Sequence, residues 1–365
     1  MLARNALVRL SNRKVLQVQG VDAARFLQGI VTNDMKVLTK PQDAMYGAFL
    51  TTKGRVLGDC HIVQLENETY LLDYDESVEQ ELAKHWKRYK IRMKATLEDK
   101  TNEFTSVAAL PALISGDDFS YLPVGDEVEN LLQQNTREPS ASTGVVYRDP
   151  RGVEFGVRAI IPSNHTLNLP ESYQEASLPV YKDRRVLLGA AEGQELHDSI
   201  PLEASLELLH GVSFRKGCYV GQELVARTQF KGNVRKRFLP VAFIRSAEQD
   251  LVLELSQIPF QRLDAAGLTP LRKFLVTDGA THPFSIEHGT SIVRPDSTKS
   301  VASVISAGEG VPVAVAMVRL EHLLPKESGE VPSMQFATAD GAYHVVPFQP
   351  TWWPAVDIKT GKMVL

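Results

Sequence analysis

An α+β fold that ends in a small β-barrel is what this sequence predicts, on three observations. Strand-like runs alternate with amphipathic helical patterns in the N-terminal part. The same mixture resumes at Val145 after an acidic interruption, and beyond Val234 only short β-type runs broken by Gly and Pro remain. At 365 residues the chain also exceeds the roughly 250 to 300 residues at which one core stops growing, so two or three packed domains are expected.

In order along the chain, Lys14 to Gly20 reads as a strand and turn, and Asp22 offers an N-cap to a short helix over Ala23 to Gln28 whose Phe26 and Leu27 face a core. Met45 to Thr51 and Val56 to Leu65 are strand patterns joined by the turn residues Thr52-Lys-Gly-Arg55, and Thr69 to Tyr74 adds a third strand of a meander. Val78, Leu82, His85, Trp86 and Tyr89 then recur at helical spacing. Ser115 to Gln134 holds five acids and no Lys or Arg, which marks a surface insertion or loop. Val145 to Tyr147 and Glu154 to Ile161 return to strand, and Tyr181 to Ala191 to helix. Leu239 to Ile244, Ser300 to Ile305 and Val311 to Val318 supply barrel strands, with Trp352-Trp353-Pro354 closing the barrel edge.

Composition narrows the function. Hydrophobic residues at 43% and charged residues at 23% are ordinary for a globular chain. No apolar run approaches the roughly 18 to 20 residues that cross a bilayer, so neither a span nor a membrane partner is expected. A formal net charge of -4 argues against a general nucleic-acid binder. No glycine loop of a nucleotide site is present, and the histidines, His197 and His210 among them, lack metal-ligand spacing. Cys60 and Cys218 stand far apart, which indicates neither a disulfide framework nor a zinc site and points to a reducing compartment. From Met1 to Gly20 the chain carries Arg4, Arg9, Arg13 and Lys14 and no acid. That bias suits the tail of a mitochondrial transit peptide and equally suits a basic N-terminal strand.

The chemistry is concentrated in Val212-Ser-Phe-Arg-Lys-Gly-Cys-Tyr-Val-Gly-Gln-Glu-Leu-Val-Ala-Arg227. Gly217 and Gly221 bracket Cys218 and permit positive φ or close approach, which predicts an approachable loop. Arg215 and Lys216 precede the thiol, and neighbouring cations favour thiolate, which is both a nucleophile and a soft-metal ligand. Cys60, inside a strand pattern, reads as a small buried hydrophobe. From Arg215 to Arg237 seven basic residues, Arg215, Lys216, Arg227, Lys231, Arg235, Lys236 and Arg237, face only Glu223, a net +6 that implies an anionic partner or ligand. One thiol cannot hold an iron-sulfur cluster, which normally takes four ligands, so a cluster at Cys218 would need ligands from elsewhere.

Lys216-Gly-Cys-Tyr-Val-Gly-Gln-Glu223 resembles the K-G-C-[YF]-x-G-Q-E signature of the YgfZ branch of the GcvT-like family, including its mitochondrial iron-sulfur cluster assembly factors. Phe26-Leu-Gln-Gly29, Thr32-Asn-Asp34, Gly54-Arg55, Arg148-Asp-Pro-Arg151, Pro201-Leu-Glu203 and Ala316-Met-Val-Arg-Leu-Glu321 occur in the family's order. The resemblance implies a three-domain folate-binding fold. Residues 1–55 with 145–234 would form a discontinuous α+β domain carrying the signature loop, 56–144 an inserted α+β domain with the acidic loop, and 235–365 the β-barrel. It also implies a late-acting, non-enzymatic role in the mitochondrial matrix. The protein, monomeric alone, would pair as a heterodimer with an A-type iron-sulfur carrier protein, and Cys218 would be a transient ligand of a shared cluster bound for 4Fe-4S proteins. Lys216, Gly217, Tyr219, Gly221, Gln222 and Glu223 would shape the loop or touch a ligand.

The sister branch, the aminomethyltransferase of the glycine cleavage system, uses tetrahydrofolate, and its Asp-Asp pair aligns with Gly58-Asp59 here, so only one acid remains. Asp59 and Glu154 are the positions that would belong to a folate pocket. Three readings result: a cluster assembly factor, a tetrahydrofolate-dependent one-carbon transferase, and, least favoured by the net charge, a single-strand nucleic-acid binder through Lys231 to Arg237.

Overall fold

The computed structural model describes residues 4–112, 144–164, 171–245, 284–294, 299–323, 336–350 and 352–364, with single residues 248, 250, 251, 254 and 297. These form two compact units. The acidic stretch Ser115 to Gln134 lies outside the described residues.

The first unit takes in residues 1–178, 192–201 and 206–227. Its strands are β1 (Asn5–Arg9), β2 (Arg13–Gln19), β3 (Ala44–Leu50), β4 (Val56–Glu66), β5 (Thr69–Asp75), β6 (Thr96–Asp99), β7 (Phe104–Leu110), β8 (Val145–Arg148), β9 (Val157–Pro162) and β10 (Tyr173–Ala176), with helices α1 (Ala23–Ile30) and α2 (Glu79–Tyr89). They make two five-stranded sheets, ordered β3-β4-β5-β2-β6 and β10-β1-β7-β9-β8. The expected meander is present in the first sheet, antiparallel through β3, β4 and β5.

Period-two alternation explains how the first sheet is covered on both faces. Cys60 and Ile62 of β4, Leu72 and Tyr74 of β5 and Leu16 and Val18 of β2 join Phe26, Leu27 and Ile30 of α1 and Leu82 and Trp86 of α2. Trp86 meets Phe49 and Tyr74 edge-on, at 5.5 Å and 5.2 Å between centroids, a geometry worth about 0.5–1.5 kcal/mol per pair beyond area burial. From the opposite face Val15, Val63 and Leu71 pack on Phe104, Val145, Tyr147 and Ile160 of the second sheet.

An ionic layer shares that second interface. Arg13 Nε donates to Asp73 Oδ1 at 2.6 Å, and Arg158 Nη2 to Asp73 Oδ2 at 2.8 Å. Arg13 Nη1 reaches Glu192 Oε2 at 3.4 Å, and Arg151 Nη1 reaches Glu192 Oε1 at 2.5 Å. Arg151 also holds Asp149 through two bonds, at 2.9 and 2.8 Å. All six side chains are buried, so three guanidiniums meet three carboxylates where an unpaired charge would be costly.

Several expectations change. The basic N-terminal stretch contains two strands: β1 pairs with both β10 and β7, and Ala6, Leu7 and Val8 are buried. The Asp22 side chain makes no capping bond and instead accepts from Lys94 N at 2.8 Å. Glu154 sits not in a strand but in a one-turn 3-10 helix, Val153–Phe155, between Gly152 and Gly156, both at positive φ. The boundary expected between residues 55 and 56 falls within the β3–β4 hairpin, whose pairing from Ala44↔Val63 to Leu50↔Val56 keeps both sides in one sheet.

The second unit takes in residues 179–191, 202–205 and 228–365. Helix α3 (Leu178–Leu187) replaces the helix expected over Tyr181 to Ala191. The expected barrel is closed in the order β11-β14-β13-β12-β15-β16, from β11 (Lys236–Arg245), β12 (Ser291–Val293), β13 (Ser300–Ala307), β14 (Val313–Arg319), β15 (Phe336–Thr338) and β16 (Tyr343–Pro347). A short hairpin, β17 (Val356–Asp357) and β18 (Lys362–Met363), follows. Trp353 is buried, and Trp352 Nε1 donates to Leu188 O at 2.8 Å.

Burial pushes the Asp73 carboxyl up, but Arg13 and Arg158 outweigh it and hold the group below its ordinary value. Its stabilising contribution is present above the unfolded carboxylate value of about 3.9 and is lost as pH falls through the lower folded value. Asp73→Asn is therefore expected to cost about 3–5 kcal/mol in urea unfolding at neutral pH, and to flatten the acid limb of the stability curve. A loss below about 1 kcal/mol would mean that the ionic layer tolerates an unpaired guanidinium.

Candidate functional site

The segment from Gly211 to Gly221 has no regular secondary structure of its own, yet it is tied down along its length. Thr32 Oγ1 donates to Gly211 O at 2.6 Å, and Ser213 N to Thr32 O at 3.1 Å. Asn33 Nδ2 donates to His210 O at 2.8 Å and to Tyr46 O at 2.7 Å. Val220 N reaches Gly29 O at 3.1 Å. Tyr219 N donates to Gln222 Oε1 at 3.1 Å, just before helix α4 (Gln222–Lys231) begins.

Lys216 is the main fastener. Its Nζ donates to the carbonyls of Gln28, Val31 and Asn33, each at 2.7 Å. A helix leaves its last carbonyls without intrahelical donors, and a cation at that end also meets the negative end of the helix dipole. An ammonium with three donors therefore fits the end of α1 and the residues just beyond it. Nζ also lies 4.8 Å from the Tyr219 ring centroid. Burial lowers Lys216 to about 8, with Asp34 opposing.

Two glycines allow a second close approach. At Gly221, φ is +82°, and a Cβ there would stand 2.4 Å from Thr51 O. At Gly54, φ is +78°, and a Cβ would stand 2.5 Å from Leu224 Cβ and 2.8 Å from Gly221 O. The β3–β4 turn and the loop thus meet backbone to backbone. Gly217 meets no such demand, for it has no positive φ, and a Cβ there would have open space around it.

Within this frame Gly217 and Cys218 are exposed while Cys60 is buried in the core against α1 and α2. Burial pushes the Cys60 thiol up, with Asp59 adding to it. The ammonium of Lys216 points into carbonyls rather than serving only as a neighbour of the thiol. Among the described residues no three His, Cys, Asp or Glu side chains gather as a metal-binding group.

The other predicted positions are sorted by burial. Arg215, Arg227, Lys231 and Arg235 are exposed, Glu223 is exposed, and Lys236 is half-buried. Arg237 is a correction to the basic surface: it is buried, donating to Gly361 O through Nε at 3.2 Å and Nη2 at 2.5 Å, and to Leu202 O. Asp59 is buried too, accepting from Tyr46 OH at 3.1 Å and from Gly193 N at 2.8 Å. Burial raises its carboxyl above the ordinary value, with Arg13 opposing. Beside it the Arg151 guanidinium lies over the rings of Phe155 and Tyr46, at 4.4 and 5.3 Å. Glu154 is half-buried on its separate turn.

Sequence reasoning did not place Gln28, Thr32, Asn33 and Gly54 against the signature loop. The signal was present as the separate segments Phe26-Leu-Gln-Gly29, Thr32-Asn-Asp34 and Gly54-Arg55, which converge on the loop in the fold.

Comparison with known proteins follows the same lines. The GCVT N-terminal domain family matches residues 3–110. The curated relatives include proteins named iron-sulfur cluster assembly factor IBA57 homolog, mitochondrial. That of Neosartorya fischeri is 35% identical over 269 residues, 65% of this chain and 57% of the relative. That of Dictyostelium discoideum is 31% identical over 69% of this chain and 66% of the relative. That of Mycosarcoma maydis is 28% identical over 95% of this chain and 85% of the relative. The chain spans less than two thirds of the length of several of these relatives, as for the Neosartorya protein. Among solved structures, the glycine cleavage system aminomethyltransferase T from Bartonella henselae aligns over 100% of this chain and 88% of its own, with a TM-score of 0.62 and 14% identity. That likeness is one of fold.

Gly221→Ala is expected to lower stability by about 2 kcal/mol or more, since both φ and Thr51 O forbid the methyl. Gly217→Ala is expected to stay within about 0.5 kcal/mol. Lys216→Met, which leaves three carbonyls without their donor, should cost about 1–3 kcal/mol. Urea unfolding of the three variants checks this; equal effects of the two alanines would contradict the loop geometry.

Proposed function

Because residues 3–110 match the GCVT N-terminal domain family and the chain is similar to proteins named mitochondrial iron-sulfur cluster assembly factors, we propose that it is itself such a factor, of the GcvT-like family, working through Cys218. One observation supports this most. The exposed thiol sits at the free apex of a loop whose flanks are fastened by Lys216 and Gly221, and it has no companion ligand set among the described residues. A thiolate so displayed contributes one bond to an iron of a cluster that a second protein also holds, and the cluster is cargo passed between them. Holding the loop in advance spares the ordering cost at the moment the partner arrives. The A-type iron-sulfur carrier protein is the partner in this reading, the mitochondrial matrix the place, and 4Fe-4S proteins the destination. Arg215, exposed beside the loop, would meet the negative charge of a thiolate-ligated cluster.

A tetrahydrofolate-dependent transfer ranks second. It would need Asp59 within reach of a bound pterin, whereas both Asp59 oxygens are engaged and the group is fully buried. The burial of Asp59 and its two accepted bonds favour a structural role for it in this reading.

Anaerobic mixing with a 2Fe-2S-loaded A-type carrier, followed by visible absorption and size exclusion, tests the proposal. Wild type is expected to form a coloured complex and Cys218→Ser to lose it while keeping its fold; a complex formed equally by both would sink the reading. Asp59→Asn separates the two functions. Its amide can accept from Gly193 N through the oxygen and donate to the Tyr46 hydroxyl oxygen through the nitrogen, so cluster sharing should stay within about twofold, while a transferase would lose its activity.

A further inference from the structure

A second surface lies at the opposite end of α1 from the signature loop. There Asp22 N donates to Lys94 O at 3.3 Å and Lys94 N to Asp22 Oδ2 at 2.8 Å, which joins the turn before α1 to the turn after α2. Gly20, at φ +133°, lets the two backbones touch; a Cβ there would be 2.3 Å from Lys94 O.

From Lys84 to Lys94 the chain carries six basic residues and no acid. Lys84, Lys87, Arg88, Arg92 and Lys94 are exposed and Lys90 is half-buried, with Arg25 of α1 exposed as well. Lys84, Lys87 and Arg88 share one face of α2 by their spacing, away from the buried Leu82, His85 and Trp86. Among the described residues no carboxylate pairs with the side chain of any of these cations. At the tip two aliphatic side chains stand in water, Val21 at 65% and Ile91 at 70% exposure.

A merely solvated basic face gives no reason for two bare aliphatic residues at its apex. Nucleic acid would be met by stacking aromatics, but the turn's Tyr89 is half-buried against His85, 4.8 Å between centroids. Aliphatic side chains ringed by Lys and Arg match a lipid surface, where the former enter the acyl boundary and the latter meet headgroup phosphates. We propose that this basic turn, tipped by Val21 and Ile91, docks the protein on a membrane surface rich in anionic phospholipid. No described helix is long and apolar enough to cross a membrane, and the lack of a spanning segment behind the expectation of no membrane partner does not bear on surface docking. The eight residues of α1 place the docking turn about 12 Å from the helix end that receives Lys216.

Sedimentation of the full chain with vesicles tests this, using phosphatidylcholine alone and phosphatidylcholine with about one third phosphatidylserine. Binding is expected only to the anionic vesicles and should weaken as salt rises. The Lys87→Glu, Arg92→Glu double variant should bind at least about tenfold more weakly. The Val21→Ser, Ile91→Ser double variant keeps every charge and should also lose binding severalfold; since both positions are exposed, circular dichroism should show an unchanged fold. No binding of wild type to anionic vesicles overturns the proposal. So does unchanged binding of the serine variant, or tighter binding of a single-stranded RNA oligonucleotide than of the anionic vesicles.

Discussion

Three arginines buried with three carboxylates set the terms for the first unit. Arg13, Arg151 and Arg158 lie at 4% exposure or less and share Asp73, Asp149 and Glu192 between two sheets. Removing one member leaves another charge in a dry interior, which costs more than any one pair returns. The layer therefore fixes β2 against β5, fixes β9 against both, and brings in Glu192 from far along the chain. Gly193, next to Glu192, donates to Asp59, and farther on Asp198 N and Ser199 O bond to Val56. Charge pairing in the core thus steers the chain toward the start of the signature loop. Asp59 stands outside the three-against-three balance, and burial accordingly favours its neutral form.

The signature residues divide by physical role once the loop is seen in place. Lys216 satisfies carbonyls at and beyond the end of α1, Gly221 lets the backbone approach Thr51, and Gln222 accepts from Tyr219 N. These three explain why the segment holds one shape. Gly217 and Cys218 contribute nothing comparable to that shape, since a methyl on the first would disturb no neighbour and the second is an exposed thiol. Scaffolding accounts for these neighbours but not for Cys218, and the proposed role as a cluster ligand supplies a reason for its presence that the shape of the loop does not.

Periodicity made β2 to β5, α1, α2 and the barrel strands β11, β13 and β14 legible, because each has one covered face or a buried run bounded by turn residues; the short β12, β15 and β16 are not read from the sequence. β1 escaped notice because its flanking arginines resembled a leader, and only its pairing on both sides reveals a central strand. Charged residues misled in the other direction. Arg237 read as part of a basic surface, yet it is buried, as are Arg13, Arg151 and Arg158, because each finds a partner in a segment distant in sequence. Lys216 read as a cation tuning the thiol, but its head is committed to carbonyls. No local pattern encodes such pairings, and they are long-range facts of the fold.

Net charge is therefore a poor guide to what this acidic chain can bind. Several of its cations are spent in the interior, while others gather at the two ends of α1, around Arg215 at one and from Lys84 to Lys94 at the other. At physiological ionic strength exposed charges are screened over about 8 Å, and the eight residues of α1 span about 12 Å. Each end accordingly presents its own local field to whatever approaches, largely independent of the other and of the formal -4. Such separation lets one small unit hold an exposed thiol steady at one end while the other end meets an anionic surface, the field at each contact being set mainly by its own cations.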